Sequence, residues 1–181
     1  YVASTGVIGE RLDAELINAQ IKGAVKNLNN AHWEKAAKAI LTTDTFAKGA
    51  TRSAKIGDQT IIINGFAKGS GMIAPDMATM LGFIFTDASL SQNVLQALLK
   101  QTCDKSFNSI TVDSDTSTSD TILAFATGKN TPVDDIKDAA LDDFKEKLAD
   151  LMLDLAHQVV RDGEGASKFV TITVTGAEND L

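Results

Sequence analysis

Between Asp134 and Val160 the residues Phe144, Leu148, Leu151, Met152, Leu155 and Val159 recur at helical spacing. A helix with an apolar face this long must lie on an equally long apolar surface, which limits the chain to layered folds. Strand-like runs offer that surface. TIIING, inside a segment from Ala50 to Phe66 that turns at Ile56-Gly57-Asp58-Gln59, reads as part of a hairpin. LGFIF (Leu81 to Phe85), Ser109 to Val112, TILAFA and the alternating FVTITVT read as further strands, and Val2 to Ile8 as a strand running into a sharp turn.

Helical periodicity also covers Glu10 to Leu28, with Leu12, Leu16, Ile17, Ile21 and Val25 on one face, and a shorter stretch from Trp33 to Leu41. Asp87 or Ser89 is placed to cap a helix that carries Leu95, Leu98, Leu99 and Cys103. Gly163 and Gly165 stop the long helix. Strands and helices interleave with hairpin steps, so the expected class is α/β with a mixed sheet in one domain spanning residues 1–181. Because the first residue is Tyr1 and VASTGVIG resembles the interior of a folded unit, the chain reads as a piece of a longer protein.

Seventeen Lys and Arg scattered among 24 Asp and Glu give a formal charge of -7, the opposite of the concentrated basic surface that nucleic acid requires. No apolar run reaches the length of a membrane-spanning helix, so a soluble protein is expected, and its expected location is cytoplasmic. The single cysteine, Cys103, cannot form an intrachain disulfide and is read as a core residue.

Three motifs could carry chemistry. GSGMIA, from Gly69 to Ala74, follows a strand as a dinucleotide fingerprint does, but Pro75 interrupts the helix that the pyrophosphate would need. DSDTSTSD resembles a calcium loop, yet its sixth position is Thr118 and its twelfth Ala124, so the obligatory glycine and bidentate glutamate are missing. No metal is expected, and the loop reads as a turn satisfying its own backbone. His32 and His157, the two histidines, have no visible nucleophile partner. Nucleophilic catalysis without histidine can use a chain's own α-amino group as base, which a threonine at a new N-terminus carries beside its hydroxyl. GMIAPDMATMLGFIF supplies a tight Gly/Pro turn, the small Ala78 before Thr79, and an apolar strand behind them.

STGVIG (Ser4 to Gly9), TTDTFAKGA (Thr42 to Ala50), KGSGMIAPDMATMLGFIFTDA (Lys68 to Ala88), SFNSITVDSDTSTSDT (Ser106 to Thr121) and GEGASKFV (Gly163 to Val170) resemble, in order, segments of the ornithine acetyltransferase family, also called bifunctional glutamate N-acetyltransferase. The resemblance implies an αββα sandwich and self-cleavage between Ala78 and Thr79. The products would be an α part, residues 1–78, and a β part, residues 79–181. It implies that Thr79 takes the acetyl group of N-acetylornithine and passes it to glutamate, in arginine biosynthesis, with no cofactor. Family members that also use acetyl-CoA enter through the same acetyl-threonine. The implied oxyanion donors are Thr5 and Gly6, and the implied substrate contacts are Thr42, Lys68, Thr79 and Glu164, with Thr43 adjacent and equivalent to Thr42 by eye. An assembly of two α and two β chains is implied too. An aminopeptidase of related fold with an N-terminal nucleophile, and an inactive fragment, are the competing expectations.

Overall fold

A computed structural model describes residues 2–7, 9–73 and 80–176. Among them a four-stranded sheet runs in the order β1 (Lys48–Ile56), β2 (Gln59–Lys68), β3 (Leu81–Thr86) and β4 (Thr121–Ala126). The first three strands are antiparallel neighbours, and β4 lies parallel to β3. The helices are α1 (Ala14–Lys26), α2 (Trp33–Ala39), α3 (Gln92–Asp104) and α4 (Asp142–Arg161).

The β1–β2 hairpin pairs Ile56 with Gln59, and Gly57 takes the positive φ of 57° that this two-residue turn asks of a residue without a Cβ. A parallel β3–β4 pair cannot be joined by a tight turn, and α3 forms the crossover. Alternation along β2 sends Ile61, Ile63 and Gly65 to the face on which α4 lies, where Leu148, Leu151, Leu155 and Val159 are buried with them. At Gly65 a Cβ would stand 2.8 Å from Leu155 Cδ1 and 3.0 Å from Leu151 Cδ2, so glycine lets the helix settle directly on the strand. The opposite face carries Phe66, Phe83, Phe85 and Phe125 in a row closed by Trp33 of α2, with Phe85 5.2 Å from both Trp33 and Phe125.

The expected α/β class is what the chain forms, with α4 on one face of the described sheet and α2 at the other. The hairpin, β3, β4 and the apolar face of α4 fall where the sequence places them. Other elements differ. The long helix begins at Asp142, after a 3-10 turn at Ala139–Leu141, and residues 134–138 are not helical. The cap of α3 is Ser91, whose hydroxyl accepts from Val94 N–H; Asp87 instead accepts from Ile62 N–H at 2.7 Å, and Ser89 Oγ donates to the Asn130 carbonyl. Ser109 to Val112 is no strand, since Phe107–Ser109 closes a 3-10 turn there. Neither residues 2–7 nor FVTITVT belongs to a strand. Val170, Ile172 and Val174 alternate as a strand would, but no described strand offers them a ladder, and all three are exposed.

Candidate functional site

β2 ends at Lys68, and the chain turns there through Gly69, Ser70 and Gly71. What holds this turn is a buried set of charges gathered from distant parts of the sequence. Lys48, at the start of β1, is fully buried, with Nζ 2.6 Å from Asp44 Oδ1 and 2.6 Å from Asp162 Oδ2. Asp162 caps the C-terminus of α4 and also accepts from the backbone N–H and hydroxyl of Thr45. Asp44 accepts from Gly69 N–H at 2.7 Å, while the Asp162 carbonyl accepts from Ser70 Oγ at 2.6 Å. Two carboxylates on one ammonium, with backbone donors on the spare lone pairs, satisfy the condition under which buried charges are tolerated. Burial alone would raise the Asp44 and Asp162 pKa values. The Lys48 ion pairs and the donors from Gly69, Thr42 and Thr45 outweigh it and hold both below the usual carboxylate range.

On this base stand three of the residues implied as substrate contacts. Lys68 Nζ is 3.2 Å from Thr42 Oγ1, so of the neighbouring pair it is Thr42, not Thr43, that faces the lysine. Burial pushes the Lys68 pKa down, opposed by Asp44 and Asp120 and reinforced by Lys48. Glu164, in the turn after α4, donates its N–H to the Ser70 carbonyl at 2.8 Å. Its carboxylate lies over Gly71, where a Cβ would come within 2.9 Å of Oε2. Thr42, Lys68 and Glu164 therefore all lie at the end of β2, Thr42 against Lys68 and Glu164 over the turn at Gly71.

The structure does not bring the whole implied set together. Thr5 and Gly6 lie in an irregular segment, and a Cβ at Gly6 would meet nothing within 4 Å. Ala78 and Thr79, the implied cleavage pair and nucleophile, lie outside the described residues, as does the Pro75 that argued against a dinucleotide loop. Asp44, Lys48 and Asp162 were missed by sequence reasoning, because a lysine opening a strand and an aspartate closing a helix look solvated until their three-way contact is seen. The expectation for Cys103 holds: it is half-buried on α3, and burial, then Asp104, raises its thiol pKa away from reactivity. No described helix is long and apolar enough to cross a membrane.

Fold and site together define an α/β protein with a buried charge cluster at the end of a central strand. Comparison with known sequences places it more narrowly. The profile of the ArgJ family matches residues 1–181, and the chain belongs to that family. It is 57% identical over 183 residues to the arginine biosynthesis bifunctional protein ArgJ of Gluconobacter oxydans, covering 100% of this chain and 43% of that protein. It is 56% identical over 185 residues to the protein of the same name from Rhizobium meliloti, covering 99% of this chain and 45% of that one. The chain thus spans less than half the length of these relatives. The crystal structure of ArgJ from Bacillus halodurans aligns with 39% identity and a TM-score of 0.45 over 48% of this chain and 41% of that one, so the family assignment stands on sequence.

Proposed function

We propose that the chain is part of an acetyltransferase of arginine biosynthesis that moves the acetyl group of N-acetylornithine to glutamate through Thr79. The observation that supports this most directly is that Lys68, Thr42 and Glu164 all lie at the end of β2, a cation that could take a carboxylate and an anion that could take an amine. Both substrates are amino acids and need that complementarity.

In the proposed cycle the Ala78–Thr79 bond is first hydrolysed, freeing the Thr79 α-amine. The Thr79 hydroxyl then attacks the acetyl carbonyl, its proton passing through that amine to the departing ornithine nitrogen as the C–N bond breaks. The amine of glutamate attacks the acetyl-threonine ester, N-acetylglutamate leaves, and the proton returns to the threonine oxygen. Thr5 and Gly6 donate to the oxyanion in both half-reactions. The cycle uses no cofactor and runs in the cytoplasm within an assembly of two α and two β chains.

The test uses the full-length protein. Mass spectrometry should find a piece that begins at Thr79, and acetyl transfer from N-acetylornithine to glutamate should be measurable. Thr79→Ala should abolish both. Cleavage of the Thr79→Ala precursor at the same bond would overturn the nucleophile assignment, and peptide hydrolysis in place of acetyl transfer would favour an aminopeptidase.

A further inference from the structure

The DSDTSTSD loop satisfies part of its own backbone, as its composition suggests: Asp113 Oδ1 accepts from Asp115 N–H and Ser117 Oγ from Ser119 N–H. Its two outer aspartates do something else. Asp113 Oδ2 accepts from Met72 N–H at 2.6 Å, and its Oδ1 from Ile73 N–H at 3.0 Å. Asp120 Oδ1 accepts from Met80 N–H at 2.8 Å. Ile73 and Met80 are the two residues that flank positions 74–79, and both are buried.

The main chain beside these aspartates completes the hold at each end. The Ile73 carbonyl accepts from Val112 N–H at 2.8 Å and from Thr111 Oγ1 at 2.8 Å. The Met80 carbonyl accepts from Thr121 N–H at 3.1 Å. Each flanking residue therefore has both its N–H and its C=O engaged by the stretch from Thr111 to Thr121. Met72 adopts a φ of 55°, a conformation side-chain-bearing residues rarely take, and the short bond to Asp113 holds it there. At the other end Asp120 extends the parallel β3–β4 ladder by one step, with a carboxylate in the place of a strand carbonyl. Three features distinguish this from an ordinary loop: the contacts are long-range, they come in a matched pair, and they close on the two ends of one short segment.

We propose that Asp113 and Asp120 are positioning residues, a two-point clamp that fixes the ends of the segment containing Ala78 and Thr79 so that the scissile bond and then the threonine are held in reacting geometry. This rests on the reading of Thr79 as nucleophile. The Met80 nitrogen that Asp120 holds is bonded directly to the Thr79 carbonyl carbon, so a shift at Met80 is transmitted to Thr79 through one peptide plane. Displacement of a reacting group by about 1 Å costs about 10²-fold in rate, which sets the size of effect to look for.

The acceptor role makes a chemical distinction between variants. As an acceptor Asp120 uses one oxygen, which an asparagine amide oxygen can replace, although asparagine loses the charge that Asp120 presents to Lys68. Asp113 uses both, which asparagine cannot. In the full-length precursor, Asp120→Ala is expected to slow appearance of the piece beginning at Thr79 by about 10²-fold, and to lower kcat of the processed fraction with KM changed less than about threefold. Asp120→Asn should process within about threefold of wild type, while Asp113→Asn stays impaired. Processing of Asp120→Ala at the wild-type rate overturns the clamp, as does an Asp120→Asn variant as slow as Asp120→Ala. If Asp120→Ala fails to fold, Asp120→Asn still decides, since slow processing in a folded Asn variant contradicts the acceptor role. Thr79→Ala is the separating control. An uncut Thr79→Ala beside a normally cut Asp120→Ala removes the clamp alone, whereas a cut Thr79→Ala removes the nucleophile reading itself.

Discussion

Helices α1 and α4 carry the same kind of pattern and meet opposite fates. In α4 the apolar face is sealed against β1 and β2, with Leu151, Leu155 and Val159 at 0% exposure. In α1 the equivalent face, Leu16, Ile17, Ile21 and Val25, is 47% to 69% exposed, and no described helix or strand packs on it. Local signals for both helices are sound: Asp13 caps α1 by accepting from Glu15 N–H, with Glu15 near the N-terminus and Lys26 near the C-terminus, as the helix dipole favours. Periodicity thus establishes that a segment is helical and that one face prefers cover. It does not establish which part of a chain provides the cover.

The sharpest way to test how α4 is held is at its C-terminal end, where Asp162 ties the helix to Lys48 on β1. Lys48→Ala leaves two carboxylates buried without their cation and should cost about 3–5 kcal/mol in urea unfolding of the protein. The effect carries a pH signature. Asp44 and Asp162 have folded pKa values below the ordinary 3.8, so the stability they contribute is complete above that value and is lost as pH falls through the folded pKa values. Without Lys48 that depression shrinks, and stability should decline less steeply below about pH 4 than in the wild type. Acid limbs of equal slope would show that Lys48 does not set these carboxylates.

Next in size is Leu155→Ala, in the middle of the sealed face. Leu155 packs directly over Gly65, and removing it opens a cavity that neighbouring strands cannot close, at a cost of about 2–5 kcal/mol. A loss below about 1 kcal/mol would mean that α4 rides loosely on the sheet, contrary to its close approach to Gly65.

The same contrast explains what was readable in advance. The β1–β2 hairpin was legible because Gly57 sits at the turn and TIIING alternates, both local facts. The α4 face was legible for a similar reason: six apolar residues at helical spacing leave little choice. FVTITVT shows the converse. Alternation predicts a strand, but a strand exists only through its ladder, and Ile172 stands 86% exposed with no ladder among the described residues. At the site, Thr42, Lys68 and Glu164 entered only through the family resemblance, since each alone looks like a solvated polar residue. Asp113 and Asp120 were visible as members of a polar loop, and composition suggested only self-satisfaction. Their long-range bonds to Met72, Ile73 and Met80 depend on which backbone N–H groups the sheet leaves nearby, and that is decided by the tertiary fold.

The smallest expected effect lies on α1. Ile21 is 51% exposed on a helix that buries no residue, so Ile21→Ala removes little buried area from the 181-residue chain. Alanine also has the higher helix propensity, because isoleucine loses side-chain freedom against the preceding turn. Unfolding of the variant should stay within about 0.5 kcal/mol of wild type, and helix content by circular dichroism should not fall. Measured beside Leu155→Ala, this pair separates apolar pattern from apolar burial on two helices of one molecule. A loss of about 2 kcal/mol or more at Ile21 would erase the contrast, because a cost of that size requires that the α1 face be covered after all.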